Sequence, residues 1–243
     1  MSATTHVRQH NSMLAAAERR ALIWIAERLP RWINSDHLSA LGLAAMAGAG
    51  VSFCVAQADP VAGALLVVLC LLLNWFGDSL DGTVARVRDQ QRPRYGYYVD
   101  HVIDLAGTAA LIGGMAASGL MTPSIALALV AAYYLVSAET FLATHSVGVF
   151  RLSFAGFGPT ELRILLAIGA FSVARNPYAT IAGHRALLLD VGAIVATGSL
   201  AAVFVISAIR NASALYQQEP LPRREDAAAP RAFRSAALSG ETV

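Results

Sequence analysis

Lysine is absent from this chain: all 18 basic residues among its 243 are arginine. Charge of either sign is scarce, at 14% of residues against 56% hydrophobic. That balance excludes a soluble domain of this size, because too few polar side chains remain to cover a globular surface. Cysteine is nearly missing as well. Cys54 and Cys70 lie in separate apolar runs with no paired spacing, which excludes a disulfide framework and predicts buried, reduced thiols. No nucleic-acid partner is expected.

Apolar sequence is what the chain has in abundance, with room for about six membrane spans. They are expected at 37–57, 61–86, 97–119, 123–146, 160–176 and 187–210. The expected fold class is therefore all-α: a polytopic membrane protein of six transmembrane helices plus an N-terminal interfacial amphipathic helix. Three segments follow: 1–36 carrying the amphipathic helix, 37–212 the six-helix domain, and 213–243 a polar tail without apolar period, expected to be disordered.

The arginines orient this arrangement. With six spans and both termini on one side, sixteen of the 18 fall on that side, leaving only Arg175 and Arg185 opposite. By the positive-inside rule both ends are expected in the cytoplasm. Within 12–32, Leu14, Ala17, Ala21, Ile25 and Leu29 recur near helical spacing, which suits a helix lying at the interface or docking on the bundle. This stretch lacks the basic start, apolar core and cleavage site of a signal peptide, so it is expected to remain in the mature protein.

Against this apolar background, four aspartates fall within 27 residues: Asp78, Asp81, Asp100 and Asp104. An ionised carboxylate in hydrocarbon is costly unless paired, hydrated or bound to metal, so a cluster of them marks a functional site. Asp78 and Asp81 are i,i+3 on one expected helix; Asp100 and Asp104 are i,i+4 on the next. Each pair projects from one face, and the two faces can meet. Such a site suits one or two hard cations, Mg²⁺ or Mn²⁺, since neither Cys nor a His pair is at hand for a softer ion.

The full pattern is Asp78-x2-Asp81-Gly82-x2-Ala85-Arg86-x9-Gly96-x3-Asp100-x3-Asp104. It resembles the signature of the CDP-alcohol phosphatidyltransferases, also called phosphotransferases, which make phospholipid headgroup linkages in membranes. Eight specified positions arise at a given start with odds of roughly 10⁻¹⁰ at average residue usage, so chance does not account for the match. The resemblance implies a CDP-alcohol donor, a hydroxyl acceptor and release of CMP within membrane lipid; a homodimer is also expected.

By the same resemblance the four aspartates hold two divalent ions, with Asp104 also taking the acceptor's proton, and Gly82 and Ala85 line the cytidine pocket. Arg86 suits phosphate, or orients an aspartate, or anchors the helix at the membrane edge. Asn74, one turn before Asp78, suits the metal site, the base, or helix-to-helix hydrogen bonding. His101 resembles a residue of the choline and ethanolamine branch, where it could share proton transfer; helix packing is the alternative. Ser35-Asp36-His37-Leu38-Ser39-Ala-Leu-Gly42 stands where the family commonly has Pro-Asn-x-Leu-Thr-x-x-Gly, with Pro, Asn and Thr replaced.

Beyond the signature, Glu161 and Arg163 either cap a helix or shape the acceptor pocket, with His145 and Arg151 in the preceding loop. Glu139 is expected in a substrate pocket or paired with an arginine, and Asp190 exposed near the outer end of the last span. Gly107, Ala110, Gly113, Gly114 and Ala117 permit close helix contact within the bundle or across a dimer.

The leading expectation is phosphatidyl transfer from CDP-diacylglycerol to a small alcohol. The small size and arginine-only composition favour it and suggest a bacterial inner membrane. His101 favours the alternative, transfer from CDP-choline or CDP-ethanolamine to diacylglycerol. An ion-coupled transporter would also place acids in a membrane, but no repeat of the 78–104 pattern is present.

Overall fold

A computed structural model describes residues 13–147, 159–219 and 221 of the chain. Seven helices make up nearly all of it: α1 (Met13–Arg28), α2 (Ser35–Ala58), α3 (Pro60–Val87), α4 (Pro93–Ala117), α5 (Pro123–Val147), α6 (Pro159–Arg175) and α7 (Leu188–Gln218). A short hairpin, β1 (Tyr178–Ile181) and β2 (His184–Leu187), separates the last two.

Proline opens α3, α4, α5 and α6, where its fixed φ suits the first turn and its missing N–H removes no helical bond. A capping box opens α2: Asn34 Oδ1 accepts from the His37 N–H at 2.9 Å, and His37 Nδ1 accepts from the Asn34 N–H at 3.2 Å. Asp59 separates α2 from α3 and caps the latter, accepting from the Ala62 N–H at 3.0 Å.

Five helices, α2, α3, α4, α5 and α7, are long and apolar enough to cross a membrane, and the chain is an integral membrane protein. The expected span 160–176 corresponds to α6, which has 17 residues. At 1.5 Å per residue it reaches about 25 Å, short of a hydrocarbon core of about 30 Å. Lipid replaces water around such a bundle, so its outer faces carry the apolar side chains: Leu65, Leu69 and Leu72 on α3, Ile164 and Ile168 on α6, Ile206 and Ile209 on α7 are all exposed.

The core lies where α2 packs against α3 and α4, around Ala49, Phe53, Val67, Leu71, Leu111 and Met115. Glycine sets the spacing. A β-carbon on Gly77 of α3 would sit 2.5 Å from the Leu38 carbonyl oxygen of α2, so the two backbones cross at a distance only glycine allows. Gly50 of α2 faces Gly114 and Ala110 of α4 in the same way, and Gly107 faces Met46. Gly107, Ala110 and Gly114 of α4 are thus used inside the bundle, whereas Ala117 is exposed and a β-carbon on Gly113 would meet nothing within 4 Å.

α1 docks on the bundle, the second of its two expected arrangements. Ala26, with Leu22, Ile25 and Leu29 beside it, packs on Leu38, Leu80 and Val84, while Trp24 and Trp32 point outward. Arg88, just beyond α3, donates to the carbonyls of Leu29 at 2.9 Å and Ile33 at 2.5 Å and ties the link between α1 and α2 to the end of α3.

The expected all-α fold gains one small addition among the described residues. Ile181 pairs with His184 across Ala182 and Gly183, both at positive φ (49° and 83°); this is the backbone of a tight two-residue hairpin. Two expectations are corrected. Asp190 is not exposed but 8% accessible. Its carboxylate accepts from the Thr122 N–H at 2.7 Å and the Thr122 hydroxyl at 2.6 Å, fastening the start of α7 to the start of α5. Cys54 is free, as expected, yet exposed on the outer surface, where a thiol meets lipid as readily as core.

Candidate active site

Contacts between helix ends define one end of the bundle. Ser39 of α2 reaches Asp81 of α3, Arg92 between α3 and α4 pairs with Asp36 at 2.5 Å, and Arg163 of α6 reaches α3. The start of α2, the end of α3 and the starts of α4 and α6 therefore gather together, and this end carries the aspartates. Arg92 lies outside the spans, and its hydrogen bond to Asp36 holds its pKa above the ordinary guanidinium value.

Asp78 on α3 and Asp100 and Asp104 on α4 bring carboxylate oxygens within 4.8 Å of one another. Carboxylates this close repel one another unless a cation compensates them or a proton neutralises one. With Ser39, Gly42, Asn74 and Asp81 they line a cavity of about 10 Å³, room for about one water or ion. Oxygen donors dominate its polar lining, matching the preference of a hard divalent cation.

The fourth aspartate is held differently. Asp81 lines the same cavity, but its Oδ2 accepts from the Ser39 hydroxyl at 2.7 Å and its Oδ1 from the Gly82 N–H at 2.5 Å. It therefore stands beside the trio, its oxygens engaged. The hydroxyl that fixes it comes from Ser39, which stands where the resembling pattern has threonine, a residue that also carries a hydroxyl.

Asn74 lines the cavity and also joins two helices: its Nδ2 donates to the Gly42 carbonyl of α2 at 3.1 Å. Its Oδ1 accepts from Arg163 Nε at 2.8 Å, and Arg163 Nη2 donates to Asp78 Oδ2 at 2.6 Å. Arg163, anticipated at the acceptor pocket, thus reaches the aspartates themselves. Charge spacing in the sequence gives no sign of this, because Arg163 lies 85 residues from Asp78.

Gly82, Ala85 and Arg86 follow nearer the end of α3 and do not line the small cavity. Arg86 is exposed, donates to the Thr83 hydroxyl at 3.0 Å and lies over Gly82. Gly96 faces open space, where an added β-carbon would meet nothing within 4 Å. His101 is also outside the cavity lining. Its Nδ1 lies 2.7 Å from the Tyr97 carbonyl, and its ring packs between Tyr97 at 4.1 Å and the edge of Phe141 at 5.0 Å. Its separation from Asp100 Oδ2 is 3.9 Å.

Among the described residues, Glu139 pairs with Asn211 of α7, which donates to it at 2.6 Å, and not with an arginine. Glu161 and His145 are exposed, and Arg151 lies outside the described residues. A wider polar cleft of about 400 Å³, lined by Asn34, Ser35, Asp36, Gln90, Gln91 and Arg92, opens at the same end of the bundle.

Fold and site together define a helical membrane protein with a carboxylate cluster able to hold a divalent cation. A sequence model of the CDP-alcohol phosphatidyltransferase family matches residues 36–210, from the first turn of α2 into the last third of α7, and the chain belongs to that family. Comparison with curated proteins gives no match. Membership makes it a transferase of phospholipid biosynthesis, moving a phosphatidyl or related group from a CDP-alcohol to an acceptor.

Proposed function

We propose that this protein transfers phosphatidyl from CDP-diacylglycerol to a small alcohol, with release of CMP, in a reaction that requires Mg²⁺ or Mn²⁺. The observation that carries the metal requirement is the convergence of Asp78, Asp100 and Asp104 within 4.8 Å. Those three would hold the cation, with Asp81 beside them for a second. Bound there, a divalent cation offsets the charge of the donor's diphosphate and draws electrons from the attacked phosphorus. Asp104 takes the proton of the acceptor hydroxyl as it attacks, because a neutral alcohol is a weak nucleophile. Gly82 and Ala85 leave room for cytidine along α3, and Arg86 meets phosphate beside them.

The choice of donor rests on the compact chain and on the ring contacts of His101 with Tyr97 and Phe141, which support its reading as a packing residue. Residues 37–212 form the catalytic domain, and the arginine asymmetry puts the aspartate end in the cytoplasm, at a bacterial inner membrane. A homodimer fits the outer apolar faces.

The test is CMP release by the purified protein in lipid, crossing CDP-diacylglycerol, CDP-ethanolamine and CDP-choline with small alcohols and diacylglycerol. Turnover of CDP-diacylglycerol with one small alcohol supports the reading. Turnover only of a CDP-headgroup with diacylglycerol replaces it with the other direction of transfer.

A further inference from the structure

We propose that Arg163 is a built-in counter-cation that competes with the divalent ion for Asp78, so that ion binding and the tether of α6 to α3 are one equilibrium. This rests on the metal site proposed above.

The guanidinium is 16% exposed and the Asp78 carboxylate 32%. A charge so enclosed is costly unless matched, and Asp78 is the carboxylate within ion-pair distance of Arg163 among the described residues. Its two hydrogen bonds run to Asp78 Oδ2 and Asn74 Oδ1, one helical turn apart on α3, so the fork lies along that face and covers Asp78 from the α6 side. A divalent ion gathered by Asp78, Asp100 and Asp104 would take the same carboxylate's charge and repel the guanidinium beside it.

The rest of α6 permits movement. Its buried residues, Ala170 and Val173, and the partly buried Leu166 and Ala167 that pack on the core lie from its middle onward, while Leu162, Ile164 and Leu165 before them face outward. The Arg163 hydrogen bonds therefore form a polar tether at its N-terminal end. A cavity of about 10 Å³ admits an ion but no diphosphate. Loss of the tether lets the first turns of α6 move away and widens the site, so the ion acts before the donor. By linkage, whatever affinity Arg163 takes from the ion, the ion takes from the tether.

The experiment uses the full chain in lipid nanodiscs, with Mn²⁺ binding read by paramagnetic resonance and amide exchange by mass spectrometry. Wild type should show faster exchange over the first turns of α6 when Mn²⁺ is added. Arg163→Ala should bind Mn²⁺ about tenfold more tightly, because the competing state is gone, with α6 exchange already fast and insensitive to the ion. Arg163→Lys, keeping the charge without the fork, should fall between. Unchanged or weaker Mn²⁺ binding by Arg163→Ala, or α6 exchange in wild type that Mn²⁺ leaves unaltered, would overturn the proposal even if the variant folds poorly. Mn²⁺ binding by no form, or binding indifferent to Asp104→Asn, would instead remove the metal site on which it stands.

Discussion

Asp104 and Ser39 illustrate how the site divides its work between residues that meet the reaction and residues that aim them. Asp104 shares the trio of close carboxylates and is the proposed base. Asp104→Asn keeps the shape but cannot accept a proton, so turnover should fall by about 10³-fold while CDP binding, followed by calorimetry, is largely kept. Ser39 lines the cavity and holds Asp81 through its hydroxyl. Removing its hydroxyl in Ser39→Ala should lower the turnover number by about tenfold, as loss of a partner beyond the ligand shell does, whereas Ser39→Thr, which keeps the hydroxyl, should restore it. Equal activity of the alanine and threonine variants would show that the bond to Asp81 is immaterial.

At this scale the sequence was readable in part. A run of spaced aspartates in an apolar chain names its own site, since a carboxylate in lipid is too costly to keep without a cation or a partner. The division among the four did not appear, because i,i+3 and i,i+4 spacing sets a shared face but not which oxygen meets Ser39 or Gly82. His101 was similarly ambiguous: the residue number puts it beside Asp100, and only the rings of Tyr97 and Phe141 reveal its surroundings.

Among the elements, the α2–α3 crossing holds the site in register, since it brings Ser39 and Gly42 to Asp81 and Asn74. Gly77→Ala drives a β-carbon against the Leu38 carbonyl, 2.5 Å away. It should destabilise the bundle by about 1–3 kcal/mol and lower activity with it. Gly113→Ala, facing open space, should leave thermal stability unchanged or raise it by up to about 1 kcal/mol through helix propensity. At the opposite end, Asp190→Ala removes the acceptor of the two hydrogen bonds that Thr122 donates and should cost about 1–3 kcal/mol in a thermal unfolding series, with the KM for donor unaffected. Helices were legible here because apolar runs broken by proline mark their starts. The hairpin between α6 and α7 was not, since four-residue strands carry too little pattern, and Asp190 was misplaced because its partner lies 68 residues away.

For the molecule as a whole, arginine distribution and bundle geometry describe the same polarity. The aspartate end also holds Arg86, Arg88, Arg92 and Arg163, while Arg175 and Arg185 stand with the hairpin at the other end. If the aspartate end faces the cytoplasm, a cysteine placed at Gln90 in a background lacking Cys54 and Cys70 should react with an impermeant maleimide only after cells are opened. One placed at Gly183 should react in cells whose outer membrane alone has been permeabilised. The opposite labelling would invert the topology. Six spans were expected and five helices meet the length and hydropathy of one; the shortfall lies wholly in α6, the helix tied to the site by Arg163.

The most direct measurement of the central claim is CMP release from CDP-diacylglycerol by the purified chain in lipid, with a panel of small alcohols, before and after removal of divalent ions. The account predicts turnover with one acceptor, lost on chelation, restored by Mg²⁺ or Mn²⁺, and reduced about 10³-fold in Asp104→Asn at every ion concentration. Turnover that survives chelation, or that Asp104→Asn retains, would contradict it.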